Sequence, residues 1–169
     1  MASIMVANTA EAFGELLQKT AHTKEGTRKI RHELTLSQRA FFWGGSNKCV
    51  ITPYPIPTAL MRHNARVCGY DDVINASPRE PVVALSRAIM SDGPLWREVF
   101  ARVEQDLPAT LSPYAFTRDF SVLLRQLRSR GIPFMAEDAP LESSFWTTRY
   151  LDSKLGFRIE MQKLMASHE

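Results

Sequence analysis

Three prolines at alternate positions, Pro53, Pro55 and Pro57, constrain this chain more than any other feature. Each ring fixes its own φ, lacks an N–H donor and biases the preceding residue toward extended conformations. A helix can therefore begin no earlier than about Thr58. Two short apolar runs, Ala40–Trp43 and Cys49–Thr52, precede the prolines and are parted by Gly44-Gly45-Ser46-Asn47. Both are rich in aromatic and β-branched residues and too short for helices, so each reads as a core strand. The pairing of Ala40–Trp43 is open, because a short Gly-Gly link would also suit an antiparallel neighbour. A strand, a sharp loop and a helix start is the geometry in which α/β proteins place binding sites. A β-hairpin turn that merely closes a sheet fits the same residues.

The flanking sequence extends the pattern. Asn8 with Glu11 three residues on resembles a capping box, and Phe13, Leu16 and Leu17 then share one face of a short helix. His22 to Arg31 is polar and basic and reads as a connector, which puts the start of the organised core near Leu34. Residues 1–33 are thus expected to be an N-terminal helix and connector. Thr58 to Val67 should form a helix that buries Leu60 and Met61 and ends at Gly69. Asp72 to Ser77 reads as a strand stopped by Pro78, and two helices follow, one with Val82, Leu85 and Ile89, the other with Trp96, Val99, Phe100 and Val103. Leu111 to Ala115 is a further extended piece.

The cleanest amphipathic stripe is Phe116, Phe120, Leu123, Leu124 and Leu127, with Thr117 as its cap and Gly131 at its end. Ile132 to Ala136 is then a strand. Strands alternating with helices predict an α/β fold with a mainly parallel, doubly wound sheet and helices on both faces. Asp138 to Ser144 is acidic and loop-like, and a last helix from Asp152 or Ser153 would carry Phe157, Met161 and Leu164.

Composition narrows the functional classes. Hydrophobic residues make up 44% of the 169 and charged residues 23%, as in a globular domain able to bury a core. The net charge of +3 is modest and the basic residues are scattered, so no nucleic-acid partner is expected. No apolar run approaches the roughly 18 residues of a membrane span. Cys49 and Cys68 lie far apart, which suggests neither a zinc site nor a disulfide, and a reducing, cytoplasmic setting is expected.

The sequence holds no GxGxxG, GxxxxGK[ST], HExxH or GxSxG motif, and its histidines lie singly. Gly44, Gly45, Ser46, Asn47 and Lys48 could present backbone N–H groups and one cation to an anion, although glycine pairs are common in plain turns. Arg79, just beyond Asn75 and Ser77, could hold a carboxylate through a bidentate pair or serve only as a surface charge. With Tyr114 and Thr117 from the 112–117 segment, these residues form the candidate substrate crevice. No assembled catalytic set and no metal site is visible.

The series VITPYPIP, DVINASP, LSPYAFT and YLDSKLGFR resembles the pre-ATP-grasp domain of the ATP-grasp peptide ligases over roughly Arg39 to Leu164. The resemblance implies a Rossmann-like domain over 34–150 and the start of an ATP-grasp region over 151–169. It implies an activity that joins a carboxylate to an amine through an acylphosphate made from ATP and Mg²⁺. Lys154 resembles the lysine that opens the ATP-grasp region and reaches the nucleotide phosphates, which makes it the candidate cofactor-binding residue. Full ATP-grasp units carry further phosphate and metal ligands, so this chain by itself is expected to bind no cofactor and to be inactive. The expected partners are a separate ATP-grasp domain or subunit, a small carboxylate or amine substrate, and a second copy in a homo-oligomer. A stand-alone binding module for a small anionic or amino-acid-like ligand, or an interaction subunit, remains the alternative.

Overall fold

A computed structural model of the chain describes residues 3–103, 109–132, 134–135 and 159. Five strands form one sheet: β1 (Ser3–Val6), β2 (Asn47–Ile51), β3 (Asp72–Ala76), β4 (Ala109–Pro113) and β5 (Phe134–Met135). Their order is β3-β2-β1-β4-β5, and every pair is parallel. Parallel neighbours require crossovers. Between β1 and β2 run α1 (Thr9–Ala12), α2 (Gly14–Thr20), α3 (Lys24–Leu36) and a 3-10 helix (Ser37–Phe42). The later connections are α4 (Thr58–Cys68), α5 (Leu85–Ser91) with α6 (Gly93–Val103), and α7 (Arg118–Ser129). The expected α/β, Rossmann-like sheet is therefore present.

Helices cover both faces because alternate strand residues serve two cores. Ile4, Val6, Cys49, Ile51, Ala76, Ala109 and Leu111 meet Leu85, Ile89, Leu95, Val99 and the α7 stripe on one side. Met5, Ala7 and Val50 meet Ala40, Trp43 and Val73 on the other. Strands buried on both faces read as unbroken apolar runs without alternation. Ile4-Met5-Val6-Ala7 is such a run.

That run corrects the expected start of the core near Leu34. β1 is the central strand, pairing Ile4 with Cys49 on one side and with Leu111 on the other. The basic segment expected to be a connector lies largely within α3, whose Thr23 cap accepts a 2.9 Å bond from Gly26 N. Ala40–Trp43 is no strand; its residues complete the 3-10 helix and its cap, with Trp43 N donating to Ala40 O at 3.1 Å. The physical reason is that both edges of β2 are already taken, by β1 and β3. α4 begins at Thr58 and ends at Gly69, a left-handed residue at φ +65°, but it buries none of its residues. Leu60 is 42% exposed, contrary to the expectation that it packs inward.

The α7 stripe behaves as its spacing demands. Thr117 Oγ1 accepts from Phe120 N at 3.0 Å, Gly131 turns the chain at φ +69°, and Phe120, Leu123, Leu124 and Leu127 are buried. The chain divides into two units, 1–137 and 138–169. Of the second only Ile159 is described, so the expected last helix and Lys154 lie outside the described residues. Leu124→Ala should cost about 2–5 kcal/mol in chemical denaturation, since it empties a filled core site. A loss below about 0.5 kcal/mol, the scatter of surface sites, would place α7 off the core.

Candidate functional site

In an open parallel sheet, ligands enter at the carboxyl ends of the strands, where the strand order reverses. Here that point lies between β1 and β4. Val6 O accepts from Tyr114 N at 2.9 Å, carrying the ladder one step past β4. Beyond it the Asn8 side chain takes over: its Nδ2 donates to Ala115 O at 2.9 Å, and its Oδ1 accepts from Ala115 N at 3.1 Å. Asn8 is fully buried, and both ends of its amide are satisfied by one backbone residue.

Glu11, one turn further, fills the space that follows. Its Oε2 accepts from Ser86 N at 2.6 Å and its Oε1 from Ser86 Oγ at 2.9 Å. Thr117 Oγ1 donates to the same carboxylate in a very short bond. Ser86 lies in the first turn of α5 and Thr117 caps α7. One carboxylate therefore serves the first turns of two helices, where backbone N–H groups lack partners and the dipole favours negative charge. Burial raises the Glu11 carboxyl above its ordinary value, against the opposing pull of the hydrogen bonds from Thr117, Ser86 and Asn8. This arrangement is a filled polar junction. A phosphate entering at this point would meet a negative charge already bonded to the donors.

The predicted crevice residues do not all converge. Gly44, Gly45 and Ser46 form the turn into β2, and Asn47 and Lys48 lie in β2 itself. They sit at the amino end of the sheet: Gly44, at φ +76°, lies against Ser3 and Met5. In a parallel sheet that end is opposite to Asn75, Ser77, Arg79, Tyr114 and Thr117, so the two groups form no common crevice. Lys48 is buried, against the expectation that it offers a free cation. Its Nζ donates to Trp43 O at 2.6 Å and rests 4.0 Å from the Tyr70 ring centroid. Desolvation lowers its pKa.

Three more of the predicted residues are committed to structure. Asn75 Nδ2 donates to Val50 O and Thr52 Oγ1, both at 2.8 Å, and its Oδ1 accepts from Ile56 N at 2.7 Å. It thereby fastens the proline segment to the sheet. Thr117 is engaged by Glu11 and Phe120. Tyr114 stacks on Trp43 with ring centroids 5.1 Å apart.

Arg79 is different. It is exposed, and makes no ion pair among the described residues. It borders a wide-mouthed depression of about 440 Å³ beyond the carboxyl end of β3. Pro78, Val82, Ala88 and Pro94 give it apolar walls, and Glu80, Ser91 and Asp92 add polar groups. Asp92 Oδ1 accepts from Leu95 N at 2.9 Å, at the start of α6. Sequence reasoning found Arg79 but missed Glu80 and Asp92. Asp92 was visible only as part of the Ser91-Asp92-Gly93-Pro94 break between two helices. Among the described residues no cluster of His, Cys, Asp and Glu is arranged to hold a metal ion.

Removing Glu11 should loosen the whole junction. Glu11→Ala leaves buried donors of Ser86 and Thr117 unpartnered and should cost about 2–3 kcal/mol. Because the folded carboxyl is raised, it is stabilising relative to the unfolded chain at low pH, and that contribution fades as the pH rises through the folded value. The stability advantage of the wild type over Glu11→Gln should therefore shrink as the pH rises from below 4.5, the ordinary value. Urea midpoints across that range measure it; an advantage that grows with pH would show that hydrogen bonding outweighs burial.

Comparison with known proteins finds no matching family model, no matching curated protein and no matching solved structure.

Proposed function

We propose that this chain is a ligand-binding α/β domain that takes a small amino acid or dipeptide in the depression beside Arg79. The observation that carries the reading is the pairing of chemistries in that depression. An exposed guanidinium stands beside two acidic side chains and apolar walls. A carboxylate suits the Arg79 fork, an ammonium suits Asp92 or Glu80, and a short aliphatic side chain suits Pro78, Val82 and Pro94. The depression lies beyond the carboxyl end of the edge strand β3, at the same end of the sheet as the reversal between β1 and β4.

The larger role proposed is that of the substrate-side domain of an ATP-dependent carboxylate–amine ligase. The Rossmann-like sheet, the fold the pre-ATP-grasp resemblance implies, supports it. In that role the domain would hold the substrate while an ATP-grasp domain or subunit supplied the nucleotide and Mg²⁺. The chain's own described residues would bind and orient; phosphoryl transfer would fall to the partner.

Calorimetric titration with L-alanine and L-alanyl-L-alanine tests the binding claim. Dissociation constants near millimolar, about 4 kcal/mol of binding, are expected. Arg79→Ala should weaken binding by about tenfold, the effect of losing one charge-assisted contact of roughly 1.4 kcal/mol. No saturable heat with either ligand, or binding that ignores Arg79→Ala, would overturn the assignment.

A further inference from the structure

The structure assigns a second surface to a macromolecular partner: we infer that the flank of α4 facing the 3-10 helix receives an acidic amphipathic helix. α4 is amphipathic in sequence yet buries no residue. Its half-buried positions, Met61, Asn64 and Ala65, mark the side that looks at the sheet. Leu60 and Val67 lie seven residues apart, hence on one flank and about 10 Å apart along the axis. They are 42% and 71% exposed. In a right-handed crossover from β2 to β3 this flank looks toward the 3-10 helix rather than toward the free edge of β3.

The 3-10 helix supplies the facing side. Phe42, at its end, is 51% exposed. It is fixed near the end of α4, because Tyr70 Oη donates to Phe42 O at 3.3 Å while Tyr70 N donates to Ala65 O at 2.9 Å. Apolar side chains on two walls, at helical spacing on one of them, match the way an amphipathic helix lies in a groove.

Charge selects the occupant. No Asp or Glu occurs between Glu33 and Asp71, a stretch that includes the whole 3-10 helix and all of α4. Arg39, His63 and Arg66 are exposed within it. A partner with an apolar stripe and carboxylates beside it would complement both features, whereas a basic one would be repelled. A nucleic acid would use the arginines but leave Leu60 and Val67 without a role, since bases stack on aromatic or guanidinium planes.

The test titrates the isotope-labelled full chain with a synthetic helix-forming peptide carrying Leu at i, i+3, i+4 and i+7 and Glu elsewhere. Methyl signals of Leu60 and Val67 and ring signals of Phe42 should shift saturably. The double variant Leu60→Ser, Val67→Ser should weaken binding at least about tenfold. Arg39→Glu with Arg66→Glu should do the same, and as an exposed-charge change it reads out even if the serine variant folds poorly. The proposal is overturned by any of four results: no saturable shift, an equal response to the Lys-for-Glu peptide, shifts of these residues produced instead by phosphatidylglycerol vesicles or single-stranded DNA, or self-association of the chain through this face.

Discussion

The fold depends on how one carboxylate and one amide close the carboxyl end of the sheet. An all-parallel sheet directs the first turns of its crossover helices toward that end, and their unpaired N–H groups accumulate there. At the reversal between β1 and β4 this chain answers with its own side chains. Asn8 takes both backbone groups of Ala115, and Glu11 takes the donors of Ser86 and Thr117. The two residues reach across more than 100 positions of sequence, so the end of β1 holds α5, α7 and β4 in place together.

This junction moves the functional question sideways. The position that receives a ligand in many sheets of this order is already occupied by Glu11, and Asn75 and Thr52 are engaged in anchoring the proline segment. The open chemistry at the same end of the sheet lies at its edge, past β3, where Arg79, Glu80 and Asp92 border the depression. Ligand binding there would leave the central network intact. On the proposed function, stability and recognition would fall to different residues at one end of the sheet, and substitutions should separate them.

Much of the architecture was legible because its signals were local. The prolines forced the start of α4, Thr117 and Gly131 bounded α7, and the stripe from Phe120 to Leu127 defined its buried face. Tertiary competition hid the rest. Ser3–Val6 is too short to announce itself and becomes the central strand only because β2 and β4 flank it. Ala40–Trp43 has strand composition, yet both edges of the adjoining β2 are taken by β1 and β3. Lys48 looks like a surface cation beside a glycine turn, but strand alternation aims it beneath Tyr70 and Phe41. The polarity of the parallel sheet, invisible in the residues themselves, separated Gly44–Lys48 from Arg79.

The central claim is one of location, that ligand chemistry resides beside Arg79 and not at the glycine turn. Backbone amide shifts of the labelled chain titrated with L-alanyl-L-alanine test it most directly. The account predicts saturable, concerted movement at Arg79, Glu80, Val82, Ser91 and Asp92, with Gly44–Lys48 and Glu11 unmoved. Shifts centred on Gly44–Lys48, or none at either place at millimolar ligand, would contradict it.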